Sequence, residues 1–108
     1  DGSFKYYVTE GVKFEGANNY ALEQNYPNPF NPSTLINYSI PVSGNVNLKV
    51  YNLLGSEVAV LVDEYKEAGN YSVEFSTEDL QSNLGSGVYI YTLKSGPFPQ
   101  TRKMVVLK

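Results

Sequence analysis

Apolar and polar positions alternate along much of this chain. In Leu35-Ile-Asn-Tyr-Ser-Ile40, the residues Ile36, Tyr38 and Ile40 fall on one face and Asn37 and Ser39 on the other, the period of a half-buried strand. Asn45-Val-Asn-Leu-Lys-Val-Tyr51 repeats it, with Val46, Leu48 and Val50 inward and Asn47 and Lys49 outward. Pro41-Val-Ser-Gly44 between them reads as a turn. Asn52-Leu-Leu-Gly55 breaks the second strand before Glu57-Val-Ala-Val-Leu-Val62, and suits a hairpin with Gly55 in the left-handed conformation. A polar connection is expected over Asp63–Gly69, then a strand at Tyr71-Ser-Val-Glu-Phe75. Ser76-Thr-Glu-Asp79 has capping-box spacing and predicts one helical turn, with Leu80 and Leu84 tucked under the end of the fold. Val88-Tyr-Ile-Tyr-Thr-Leu93 is apolar on both faces and so reads as a central strand; Gln100–Leu107 closes the series. Six strands at regular spacing, with glycine or proline turns and no stretch long enough for a βαβ helix, predict an all-β antiparallel sandwich.

The first 20 residues leave two readings. Phe4–Val8 and Val12–Phe14 could pair as a hairpin, or 1–20 could be a linker or the remnant of a preceding domain, with the sandwich over 21–108. The linker is favoured, because two strands alone are only marginally stable.

Composition narrows the function. A chain of 108 residues supports one core. It contains no His, Cys or Trp, which removes Cys–His and Ser–His–Asp nucleophiles, thiolate or imidazole zinc sites and disulfides. Net charge is −3 and the pI about 4.8, so no nucleic-acid partner is expected. No apolar run is long enough to span a bilayer. The chain opens on Asp1 without a signal-peptide pattern, and is expected to be part of something longer.

The least generic stretch is Leu22–Thr34. Pro27, Pro29 and Pro32 restrict themselves and the residues before them. In a polyproline conformation Asn25, Asn28 and Asn31 would share one edge, their amides bonding to neighbouring backbone in place of a ladder, while Phe30 drops into the core beside the first strand. Two readings stand: a stiff edge that blocks strand pairing, or a recognition surface.

The order Leu-Glu-Gln-Asn-Tyr-Pro-Asn-Pro-Phe-Asn-Pro-Ser-Thr (22–34), Val-Asn-Leu-Lys-Val-Tyr-Asn-Leu-Leu-Gly-Ser-Glu-Val (46–58), Gly-Val-Tyr (87–89) and Arg-Lys-Met-Val-Val-Leu-Lys (102–108) resembles the C-terminal sorting domain of type IX secretion substrates. The resemblance covers roughly 21–108; flagellar hook-capping proteins carry a similar domain. It implies an immunoglobulin-like sandwich of about 6–7 strands at the C-terminal side of a larger cargo protein. Such a domain has no chemistry or cofactor of its own. It is read by the outer-membrane translocon, and the cargo is secreted or held at the cell surface after passing through the periplasm. A sortase-like surface protease acts on many members, here near Gly16–Tyr20. Residues matching the motifs, and so implied in partner binding, are Pro27, Asn28, Pro29, Asn31, Pro32, Lys49, Asn52, Gly55, Gly87, Lys103 and Lys108; Tyr51, Val58 and Tyr89 match as well.

Other chemistry is weighed beside this. The lysine-bearing last strand, with Arg102, Lys103 and Lys108, is either a solvated edge protected from pairing or a handle gripped by strand addition. Asp63, Glu64 and Glu67, and the pair Glu78 and Asp79, lack EF-hand spacing and read as solvated loops rather than a calcium site. Ten tyrosines allow an alternative, a carbohydrate-binding or adhesive accessory domain of a secreted hydrolase. Tyr38, Tyr71 and one of Tyr89 and Tyr91 are expected in the core, leaving Tyr6, Tyr7, Tyr20, Tyr26 and Tyr65 to face solvent.

Overall fold

A computed structural model describes residues 19–79 and 84–107. Among these residues the alternating segments form seven strands: β1 (Ala21–Leu22), β2 (Ser33–Ile40), β3 (Gly44–Tyr51), β4 (Glu57–Lys66), β5 (Gly69–Ser76), β6 (Gly87–Ser95) and β7 (Phe98–Val106), with a 3₁₀ turn at Thr77–Asp79. They make two antiparallel sheets, β1-β2-β5 and β4-β3-β6-β7. Period-2 patterning gives each sheet one apolar face, and both faces must be hidden against something. The shared core includes Ile36, Tyr38 and Ile40 from β2, Val46, Leu48 and Val50 from β3, Phe75 from β5, and Tyr91, Leu93, Met104 and Val106 from β6 and β7. The result is the immunoglobulin-like sandwich, with β4 moved to the sheet of β3.

Strand β6 is central, between β3 and β7, as its two apolar faces predict. Near its start the Tyr89 hydroxyl donates to the Gly85 carbonyl (2.9 Å). This is the tyrosine corner that immunoglobulin-like sandwiches place where the chain crosses from the fifth strand to the sixth. Gly87, two residues before, has φ +149°, a backbone setting open to glycine and strained for any other residue. At the start of the same crossing the Ser76 hydroxyl accepts from the Glu78 N–H (3.2 Å), and Leu84 is buried, as the capping pattern predicts. Leu80 lies outside the described residues, as do 1–18 and both readings of them.

Two expectations need correction. Asp63–Lys66 is not a connection: β4 continues through it, paired from Asp63↔Asn47 to Lys66↔Gly44. Its side chains are polar because this half of the edge strand β4 meets solvent on both faces, so charge there does not mark a loop. The proline segment also does not stay beside the first long strand. It runs antiparallel to β2 as far as Tyr26↔Leu35, then crosses to the other sheet, where Phe30 bridges Val106 in parallel. The bonds Tyr26–Pro27, Asn28–Pro29 and Asn31–Pro32 are cis.

Candidate partner-binding surface

The lead-in from Leu22 to Pro32 is clamped to both sheets. The buried Tyr91 hydroxyl donates to the Glu23 carbonyl (2.7 Å) and accepts from the Asn25 N–H (2.8 Å). Asn25 is itself buried; its amide donates to Thr34 Oγ1 (3.0 Å) and to the Pro27 carbonyl (3.2 Å), which also accepts from the Thr34 hydroxyl (2.8 Å). Arg102 Nε donates to the Leu22 carbonyl.

Most of the outer backbone edge of β7 between Lys103 and Leu107 is then taken by this segment. Gln24 Nε2 donates to the Lys103 carbonyl (2.7 Å), Asn28 Oδ1 accepts from Val105 N–H (2.9 Å), Phe30 N–H donates to the Val105 carbonyl (3.0 Å), and Leu107 N–H donates to the Phe30 carbonyl (3.0 Å). Phe30 is buried, as expected, with its ring edge-on to Phe75 at 5.9 Å. The expected asparagine row is not formed. Asn25 faces inward, Asn28 serves β7 and Asn31 is exposed, because the segment bends between two sheets instead of continuing in one direction. Lys103–Leu107 is therefore not an open edge: strand addition there meets backbone groups that already have partners.

Asn52 organises the β3–β4 turn. Its carbonyl accepts from Gly55 N–H (3.0 Å), its N–H donates to the Ser56 carbonyl (2.9 Å), and its side-chain oxygen accepts from Leu54 N–H (2.9 Å) and Ser56 N–H (3.0 Å). Gly55 has φ +89°, the left-handed residue the turn requires. Leu53 and Leu54 project from it, Leu54 at 91% exposure. Two leucines at turn positions were the sequence signal for that exposure, since turn residues are normally polar.

Strand registers place these residues. Ser33, Tyr51, Glu57, Ser76, Gly87 and Val106 terminate their strands at one end of the sandwich. Pro27, Asn28, Pro29, Asn31 and Pro32, the Asn52–Gly55 turn and Gly87 all gather at that end. The chain enters at the other: Ala21 pairs with Ser39, and Tyr20 stacks on Phe98 at 4.8 Å beside the β6–β7 turn. Lys49 and Lys103 lie away from the gathered group, on the outer face of the four-stranded sheet, separated by β6 and offset by two residues along it, and thus about 12 Å apart. Lys94 shares that face, and Lys49 is paired with Glu57 (3.4 Å). The depression lined by Asn47, Lys49, Tyr51, Thr92 and Lys94 holds ≈ 60 Å³, room for water and well below the roughly 300–1,000 Å³ of small-molecule sites. Lys108 lies outside the described residues.

The remaining candidates are placed as follows. Tyr38 and Tyr91 are buried, while Tyr71 and Tyr89 are half-buried against the core. Tyr20 is half-buried on Phe98, and Tyr26 and Tyr65 are exposed on different sheets, so these rings do not form a common platform. Tyr6 and Tyr7 lie outside the described residues. Asp63 accepts from Asn47 (3.2 Å), Glu64 pairs with Lys66 (2.9 Å) and Glu67 accepts from Ser43 (3.4 Å). Among the described residues, no three carboxylates stand close enough to share a metal ion.

Compared with known families, residues 24–107 match the family model described as secretion system C-terminal sorting domain. The match runs from Gln24, whose amide holds the Lys103 carbonyl, to Leu107, whose N–H closes the clamp on Phe30. No curated protein matches the chain.

Proposed function

Because the chain belongs to the family of secretion-system C-terminal sorting domains, we propose that the type IX translocon reads it at the end of the sandwich away from the point where the chain enters. The family is the sorting signal of type IX cargo: a larger protein lies N-terminal to the domain and is exported through the periplasm to the cell surface or medium. It is not a family known for catalysis.

The observation that carries the proposal is the gathering of Pro27–Pro32, Asn52–Gly55 and Gly87 at one end, opposite Asn19–Ala21. Cargo leaving from the Asn19 end does not cover that surface. Pro27, Asn28, Pro29, Pro32, Asn52, Gly55 and Gly87 fix backbone shape there, and Asn31 is the side chain free to be contacted. Lys49, in its pair with Glu57, and Lys103 extend the surface along the outer sheet face; Lys108 continues the same motif. In this reading 1–20 is the linker to the cargo, and a sortase-like protease cuts near Gly16–Tyr20. What supports the boundary is that ladder pairing, among the described residues, starts at Ala21.

The test is an unrelated reporter fused ahead of the full chain in a host with the type IX machinery. The unmodified fusion reaches the surface, whereas Asn31→Ala with Lys49→Ala and Lys103→Ala lowers export at least about tenfold, the scale of a hot-spot loss. Glu74→Ala, on the outer face of the other sheet, leaves export unchanged. Export of the triple variant at the unmodified level rejects this surface.

A further inference from the structure

We infer that Leu53 and Leu54, at the tip of the β3–β4 turn, form an apolar anchor that seats in a hydrophobic pocket on a folded protein of the secretion machinery. The inference rests on the reading above and names the contact within that surface. Leu53 and Leu54 are 65% and 91% exposed, and neither joins the core or the residues packed against it. A single exposed leucine is ordinary, but two adjacent ones at the apex of a turn, where polar residues are the rule, have no role inside this fold.

The tip is also rigid. Four hydrogen bonds converge on Asn52, and Gly55 holds the left-handed conformation, so the backbone that carries the two side chains is set before any partner arrives. An anchor fixed in advance loses little freedom on docking, which is how a small apolar contact gains affinity.

A protein pocket fits better than a lipid surface. Insertion into a membrane interface draws on a broad apolar face flanked by basic residues. Here the apolar area is two side chains, the next charged residue is Glu57, whose nearby cation Lys49 is already paired with it, and the whole chain is acidic.

The experiment uses the same reporter fusion with Leu53→Ser plus Leu54→Ser and, separately, Leu53→Met plus Leu54→Met. Thermal unfolding of each domain and flotation with phosphatidylethanolamine–phosphatidylglycerol vesicles are measured alongside. The serine pair is expected to lower export at least about tenfold, since burying even one leucine accounts for that much affinity. Its unfolding midpoint stays at that of the unmodified chain, the methionine pair restores export, and the domain does not float with vesicles. Export of the serine pair at the unmodified level, with the unmodified fusion secreted, overturns the anchor alone. Leucine-dependent flotation overturns the protein pocket in favour of lipid. Failure of the unmodified fusion to reach the surface overturns the sorting reading and the anchor with it.

Discussion

Tyr91 connects the core to the lead-in through one oxygen. Its ring is fully buried in the four-stranded sheet, and its hydroxyl serves both the Glu23 carbonyl and the Asn25 N–H. Tyr91→Phe leaves both backbone groups without that partner, so the domain is expected to lose about 1–3 kcal/mol in denaturant unfolding. Burial holds the Tyr91 phenol above its ordinary value of 10.0, against the opposing pull of the Asn25 N–H and Arg102. The folded chain therefore binds that proton more tightly than the unfolded chain. Its contribution is whole below the unfolded value and is lost as pH rises through the folded one. Stability should fall above about pH 10, and Tyr91→Phe should make the fall shallower without removing it, because burial raises the Tyr38 phenol as well. An unchanged alkaline slope in the variant would reject this account.

Strands at the ends of a sheet expose unpaired backbone and invite pairing with other chains. The lead-in answers that for the second half of β7, using side-chain amides from Gln24 and Asn28 and the backbone of Phe30. Asn28→Ala should speed hydrogen exchange at the Val105 amide by roughly five- to tenfold, the value of one exposed hydrogen bond, and leave Leu48 unchanged. Equal exchange at Val105 would mean that Asn28 does not guard the edge. Phe30 works at the same scale through packing: Phe30→Ala empties a buried site against Phe75 and should cost about 3–5 kcal/mol. Removing Lys103–Lys108 outright also takes Met104 and Val106 from the core, so charge substitutions are the cleaner probe of that strand.

The whole molecule is polar in its layout, with chain entry at one end and the motif residues gathered at the other. The chain contains no cysteine, so a single introduced thiol can be labelled without side reactions. A bulky maleimide adduct on Ser56→Cys, at the motif end, should abolish binding to purified translocon. The same adduct on Glu67→Cys, near the entry end, should leave it intact. Equal tolerance at both ends would remove the polarity from the mechanism.

Strand identity was legible in the sequence because a period-2 pattern reports which face is buried, and each strand keeps its own pattern whatever its neighbours. The Asn52–Gly55 turn and the burial of Phe30 were legible for a similar reason: turn chemistry and a lone aromatic among prolines are local signals. The extension of β4 through Asp63–Lys66 was not, since an edge strand facing water carries the same polar residues as a loop. Neither was the crossing of the lead-in to β7, nor the joining of Asn25 to Tyr91, residues 66 apart in the chain. Backbone donors and acceptors are alike at every residue, so no sequence pattern states which distant edge they will satisfy. Closing two sheets over one core decides it, by bringing the free side of β7 against the segment that its prolines keep out of a regular ladder.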